Sequence, residues 1–419
     1  MTTKYFLNLC IAAIALSFAV SSFAQKRDDA IFAAAHAAQP AVIETLQKLV
    51  LIESGSTNIA GIARVADFAK TQLDILGAKT ELIKTSNSDR VMVRGVFRGK
   101  GRLKAMLIAH MDTVYPDGIL ATQPYKLDGN RLYGPGIADD KGGIAVILHS
   151  LALLLSQGWD NFEAITVLFN PDEEIGSEGS GAFIQSLAAD QNVVLSYEPT
   201  ASKSIAKNEG VLLAAAGIAT ATIEVKGRAS HAGAAPDEGR NALIELSHQI
   251  LATEKIAKSI SGAQLNWTSS QSGTVSNRIP ETAVASADVR LLKPDAADKL
   301  KAALITKTQE SRRVPDTLVH VKIDVGRPPY VAGEQGMALA QLARAIYAEL
   351  DGRPLVFHPI TGGGTDAGFA SASGKAAVLE SLGLAGWGFH ARDEYIEIDS
   401  IVPRLYLTSR LLMDLGKQH

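Results

Sequence analysis

The sequence predicts an α/β fold with helices on both faces of a mostly parallel sheet, interrupted by a smaller inserted βαββαβ module. Three observations carry that prediction. Short apolar runs at residues 103–109, 164–169 and 193–196 read as strands buried on both faces, separated by segments of helical period. Polar clusters stand just beyond the ends of those runs, where open α/β sheets place their sites. From about Leu212 the rhythm changes to alternating strands and two helices, a self-contained two-layer pattern. At 419 residues the chain is too long for one small core, which agrees with a divided architecture.

Taken in order, residues 1–24 read as a secretory signal. Lys4 precedes an apolar core at 7–20, and Ser22-Phe23-Ala24 sets small residues where a signal peptidase cuts, with Gln25 opening the mature chain. The apolar run is short for a membrane anchor, and Lys26-Arg27-Asp28-Asp29 follows it closely. The single cysteine, Cys10, lies inside that segment, so the mature chain has no disulfide and no thiolate ligand. The first catalytic segment is expected over 25–211, the inserted module over 212–326 and the second catalytic segment over 327–419. Helical spacing predicts helices over 30–38, 40–52 and 62–76, the last closed by Gly77. Strands follow at 79–84, 91–97 and 103–109, a helix at 144–157 and strands at 164–169 and 193–196. The insert reads as strand 219–226, helix 241–257, strands 265–272 and 283–292, helix 294–312 and strand 318–325. Helix 334–350, strands 355–357 and 376–380, and helix 400–415 close the chain. A formal charge of −3 offers no basic field for nucleic acid, so the partners are small molecules or copies of the same chain.

Five oxygen or imidazole donors stand at strand ends or in glycine loops: His110, Asp139, Glu174, Glu198 and His390. Singly each has a plain reading as a core-edge histidine, a turn acid or a loop residue. Together, two imidazoles and three carboxylates suit a pair of zinc ions with one carboxylate shared. Asp139-Asp140 lies in Gly134-Pro135-Gly136-Ile137-Ala138-Asp139-Asp140-Lys141-Gly142-Gly143, ahead of a helix, where an acid also serves as an N-cap. Asp112 follows His110 by two positions, so on an extended segment it shares a face with the imidazole and can fix its tautomer. In Asp172-Glu173-Glu174 the neighbouring side chains diverge. If Glu174 binds a metal, Glu173 faces the adjoining water and can take its proton.

His110-x-Asp112, the 134–143 loop, Asp172-Glu173-Glu174-x-Gly176-Ser177 and Glu198-Pro199-Thr200 resemble the dinuclear-zinc exopeptidase and deacylase family. That family includes aminoacylase, acetylornithine deacetylase and succinyl-diaminopimelate desuccinylase. Ser230-His231-Ala232-Gly233-Ala234-Ala235-Pro236, Thr361-Gly362-Gly363-Gly364-Thr365-Asp366 and Glu380-Ser381-Leu382-Gly383 resemble its exported bacterial glutamate carboxypeptidases, the carboxypeptidase G type. The resemblance implies a zinc-exopeptidase-like catalytic domain with an inserted dimerisation domain, two Zn2+ per subunit, and a homodimer acting on substrates with a free C-terminal carboxylate. It implies that Asp139 bridges the ions and is followed by a cis peptide, with His110 and Glu198 on one ion and Glu174 and His390 on the other. Glu173 would be the general base and Asp112 the orienter of His110. His231 would reach the partner subunit's site to stabilise the oxyanion. Arg327, Asn277, Arg290, Gly364 and Thr365 would meet the substrate. Residues 201–210 and 390–395 depart from the family pattern. The alternatives are an N-acyl amino acid deacylase or dipeptidase on the same site, and a non-catalytic periplasmic metal- or peptide-binding protein.

Overall fold

A computed structural model describes residues 26–419; the apolar N-terminal run, Cys10 and the expected cleavage after Ala24 lie outside them. The first helix, Asp29–Val50, is capped by the Asp28 side chain and runs unbroken through Pro40, where two helices were expected. Proline removes one hydrogen bond there, but Ala35, Val42 and Leu46 on either side are fully buried, and their packing holds the helix across it. The next helix, Ile59–Ile75, is capped by Asn58 and stops before Gly77, whose φ of +90° supplies the left-handed turn.

The larger body is built on a sheet in the order Lys79–Lys84, Val91–Arg98, Ala164–Asn170, Lys104–His110, Val193–Ser196, Ala377–Leu379. The first two pairings are antiparallel and the last three parallel. Lys104–His110 lies inside the sheet and alternates between two apolar layers. Ala105, Leu107 and Ala109 join the core formed with helices Asp29–Val50, Lys141–Ser156 and Ile401–Gln418. Met106 and Ile108 pack with Ile184 and Ala188 on the opposite face. Burial on both faces explains why this strand reads as an unbroken apolar run. The parallel strands all end at one edge, and that edge carries the site.

The inserted module has its own core. Its strands order as Ala263–Ser272, Thr282–Leu291, Gly217–Lys226, Leu318–Arg327, every neighbouring pair antiparallel. Ala219, Ala221, Ile223 and Val225 alternate inward, as do Ala283, Ala285, Ala287 and Val289, and they pack with helices Ala242–Thr253 and Ala296–Glu310. Alanine on the inward face lets the helices approach closely. Leu212, the expected first residue of the insert, belongs instead to the strand Gly210–Leu212, paired with Val356–His358 of the larger body. Here the change of rhythm precedes the change of sheet by one short strand.

Candidate metal centre

His110 ends the Lys104–His110 strand and is almost fully buried. Its Nε2 lies 3.0 Å from Asp139 Oδ1 and 3.8 Å from Glu198 Oε1. Glu173 and Glu174 follow the neighbouring Ala164–Asn170 strand, and Glu198 follows Val193–Ser196. Parallel pairing on both sides of the His110 strand therefore delivers all three clusters to one place. Donor atoms of His110, Asp139 and Glu174 lie within 4.8 Å of one another, as do those of His110, Glu173 and Glu198.

The two adjacent aspartates divide the readings available to them. Asp140 is the N-cap of helix Lys141–Ser156, accepting from Gly143 N at 3.0 Å, and it also accepts from His110 N at 3.3 Å. Asp139 points into the cup, and the peptide between the two is cis. The loop before them is held by a residue that sequence reasoning missed. Buried Glu394 accepts from Gly136 N, Ala138 N and Asp139 N at 2.8, 2.8 and 3.0 Å, and from the Tyr115 hydroxyl at 2.7 Å. Lys141, equally buried, donates to the carbonyls of Ile52 and Pro135 at 3.0 and 3.3 Å.

His390 arrives from the far end of the chain. Strands Ala385–Trp387 and Tyr395–Glu397 pair antiparallel, and the second pairs with Arg131–Tyr133 beside the glycine loop. His390 sits in the connection with φ +62°, its Nε2 3.3 Å from Asp139 Oδ2 and 3.2 Å from Glu174 Oε2. The histidines thus flank the two oxygens of Asp139.

The expected link between Asp112 and His110 takes a different form. The strand ends at His110, so strict alternation no longer governs Asp112. His110 Nδ1 is 3.0 Å from the Asp112 carbonyl and 3.5 Å from its carboxylate. That carboxylate accepts instead from Ser56 Oγ and from the backbone N–H groups of Glu173 and Glu174, at 2.8, 3.0 and 3.2 Å. Asp112 holds the imidazole through its main chain and the acidic turn through its side chain.

Glu173 is buried against Arg327, which donates to its Oε1 at 2.5 Å. Arg327 also lines the cavity beside the cup: its terminal nitrogens donate to the carbonyls of Glu173 and Gly364 and to Ser177 Oγ as well, while its buried Nε has no protein partner among the described residues. Arg290 pairs with Asp288 through Nε at 3.0 Å while lining the same cavity. Gly364 and Thr365 also line it, but Thr365 donates its hydroxyl to Glu380 and Gly364 lends its carbonyl to Arg327. His231 and Asn277 do not line it. They sit side by side where Ser230–His231 pairs with Arg278–Ile279, joined by Ala232 N donating to Asn277 O at 2.8 Å.

The cavity beside the cup measures about 670 Å³. Beyond the polar cup its walls are apolar, with Leu212, Ile360, Trp387 and Phe389. Residues 201–210 contribute the short helix Lys203–Ala206, with Ile205 and Ala206 on the wall. Glu209 anchors that segment by accepting from Arg404 Nε of the last helix at 3.1 Å and from the Tyr347 hydroxyl.

Burial pushes the carboxyls of Glu173, Glu174 and Glu198 above their ordinary range. Burial acts on Asp139 in the same direction, but hydrogen bonds from His110 and His390 outweigh it and bring that carboxyl down. Contacts with Asp139 and then Glu174 raise His390 to about 10. Desolvated carboxylates crowded around two imidazoles are a donor set that divalent cations neutralise, and nitrogen with oxygen ligands suits zinc. The residues present fit a metal.

An α/β sheet whose strand ends converge on such a cup, beside an open cavity, defines a metallohydrolase class of site. The chain belongs to peptidase family M20/M25/M40, whose family model matches residues 106–414. It is 45% identical over 410 residues to Carboxypeptidase G2 of Pseudomonas sp. (strain RS-16), covering 97% of each chain. Its fold matches the M20 family metallo-carboxypeptidase Sso-CP2 of Sulfolobus solfataricus with a TM-score of 0.68 at 18% identity, covering 90% of this chain and 99% of that one. The aminopeptidase PepT of Bacillus cereus matches with a TM-score of 0.70 at 19% identity, covering 90% and 98%. No helix among the described residues is long and apolar enough to cross a membrane.

Proposed function

We propose that this chain is an exported carboxypeptidase with two Zn2+ per subunit, and that it hydrolyses the amide joining an acyl group to a C-terminal glutamate, as in folate-type and N-acyl-glutamate substrates. The observation that carries the reading is the position of Glu173: buried at the rim of the donor cup, adjacent in sequence to Glu174, with one carboxylate oxygen engaged by Arg327. A protein that only bound metal or peptide has no use for such a base. Similarity to Carboxypeptidase G2 over nearly the whole chain supports the substrate class.

His110 and Glu198 would hold one ion, Glu174 and His390 the other, with Asp139 between them. When bound, the ions polarise the scissile carbonyl and lower the pKa of water from ~15.7 to ~7. Glu173 Oε1 is taken by Arg327, and Oε2 is left to receive the water proton and return it to the leaving amine. Asp112 keeps Glu173 and Glu174 in register by accepting both their backbone N–H groups. The apolar walls receive the acyl group, and Arg290 faces the substrate from the cavity wall.

His231 and Asn277 act in the neighbouring subunit of a homodimer. The Nδ1 of His231 accepts from the backbone N–H groups of Gly233 and Ala234, at 3.2 and 3.1 Å. That pattern leaves Nε2–H as an exposed donor suited to an oxyanion. The reading is tested by following glutamate release from p-aminobenzoyl-glutamate, with a chelator and after zinc is restored. Chelator-sensitive release restored by zinc is expected. Preference for N-acetyl amino acids or dipeptides would favour a deacylase or dipeptidase, and metal binding without hydrolysis would favour a binding protein.

A further inference from the structure

Gly210–Leu212 and Val356–His358 form a two-stranded parallel pair, and Leu212 and His358 are direct partners across it. Residues in register share a face of the sheet, and this face belongs to the cavity: Leu212, His358 and Ile360 all line it. Gly210 precedes Leu212 by two positions on the same face and carries no side chain, so the His358 ring lies over it. A Cβ there would stand 2.5 Å from both Cδ2 and Nε2 of the imidazole. The ring gains no bond from this packing, because Nε2 is buried with no hydrogen-bond partner among the described residues. Buried polar atoms are ordinarily paired, as His149 is paired with Thr45 at 2.8 Å elsewhere in the fold. Burial, and then the charge of Arg404, lower the His358 pKa and keep the ring neutral; Arg404 itself donates to Gly210 O at 3.2 Å.

We propose that His358 is a specificity-determining residue, the group that receives the side-chain carboxylate of the C-terminal glutamate. The inference deepens the carboxypeptidase reading and rests on it. A C-terminal glutamate brings two carboxylates into one cavity. Arg290 and Arg327 are cations on its wall, and either can serve the α-carboxylate. The second carboxylate stands at the end of two methylenes. Leu212 and Ile360 offer those methylenes apolar contact, and the imidazole between them in sequence and space offers the hydrogen bond. A neutral imidazole keeps one N–H donor in either tautomer, and a bond to an ionised acceptor is about twice as strong as one between neutral groups. With Nε2 unpartnered, the ring gives up no protein bond there in turning its donor to a ligand. A substrate whose side chain ends in a methyl group leaves the imidazole unpaired, which is how a polar pocket rejects an analogue lacking the polar group.

Two substrates isolate the side-chain carboxylate. Rates are measured on the zinc-loaded protein with p-aminobenzoyl-glutamate and p-aminobenzoyl-norvaline, which differ only in whether the side chain ends in a carboxylate or a methyl group. The wild type should prefer glutamate. His358→Leu should lower kcat/KM for the glutamate substrate by about 10–100-fold, the effect of one hydrogen bond to a charged group. The norvaline substrate should stay within about threefold, with zinc content unchanged. His358→Gln keeps a donor and should return most of the loss. Gly210→Ala keeps the imidazole but displaces it, and should show the same glutamate-only signature; it decides the matter if His358→Leu does not fold. Equal losses on both substrates assign the imidazole to the acyl group or to the cavity wall, and an unchanged glutamate rate removes it from the site; either result overturns the proposal. A wild type that releases no glutamate removes the carboxypeptidase reading and this inference with it, a failure seen before any substitution is made.

Discussion

The catalytic cup and the inserted domain use polar side chains in opposite ways. In the cup, His110, Asp112, Glu173 and Arg327 are nearly or wholly buried, each with a partner on another element of the fold. In the insert the ion pairs are exposed and mostly local, such as Lys299–Asp295 and Arg278–Glu281. Pairs of that kind contribute roughly 0–1 kcal/mol. Charges buried together, by contrast, are strongly unfavourable unless something compensates them. The cup is therefore a donor set that cations would neutralise, whereas the exposed His231–Asn277 corner lies outside the cavity.

The sharpest way to break this contrast is Glu173→Ala. It should leave zinc content unchanged and lower kcat by about 10²–10⁴-fold, read by stopped assay and metal analysis on the same sample. His231→Ala comes next. Removing one oxyanion donor should cost about 10²–10³-fold in kcat with zinc retained, and mixing the two inactive variants should return activity through heterodimers that hold one intact site. Recovery on mixing would tie the exposed corner to the cup of a second chain; its absence would leave His231 a surface residue. Glu394→Gln probes how firmly the glycine loop holds Asp139. Burial raises the Glu394 carboxyl to about 7, yet three backbone N–H groups and Tyr115 aim at it. Zinc affinity should fall about 10–100-fold in competition with a chromophoric chelator.

The smallest effect lies in the scaffold, away from the cup. His149, hydrogen-bonded to Thr45 at 2.8 Å, is lowered by burial to about 4 from 6.5. The native histidine stays neutral while the unfolded one gains a proton below about 6.5, so its contribution is lost as pH falls from about 6.5 towards 4. At pH 5 the wild type should have lost about 2 kcal/mol that His149→Gln does not lose. Urea titrations of both at pH 7.5 and pH 5 measure this.

Much of the cup was legible because a strand buried on both faces reads as an apolar run, and the polar residue that ends it stands out. His110, the acids after Phe169 and Glu198 after Ser196 were placed on that ground. Asp139 and Asp140 show the limit of the method, since spacing could not say which would cap the helix and which would face the cup. Arg327 shows another: period assigns a face, but not a partner 154 positions away. Glu394, Glu209 with Arg404, and Asp366 with Ser177 were missed for the same reason. Pro40 reads as a helix break from local propensity alone, and only tertiary packing overrides it.

Anomalous diffraction at the zinc edge from crystals of the zinc-loaded protein tests the account most directly. It should show two peaks about 3.5–4 Å apart, ringed by His110, Asp139, Glu174, Glu198 and His390, with Glu173 bound to neither. A single peak, or Glu173 itself serving as a ligand, would contradict it.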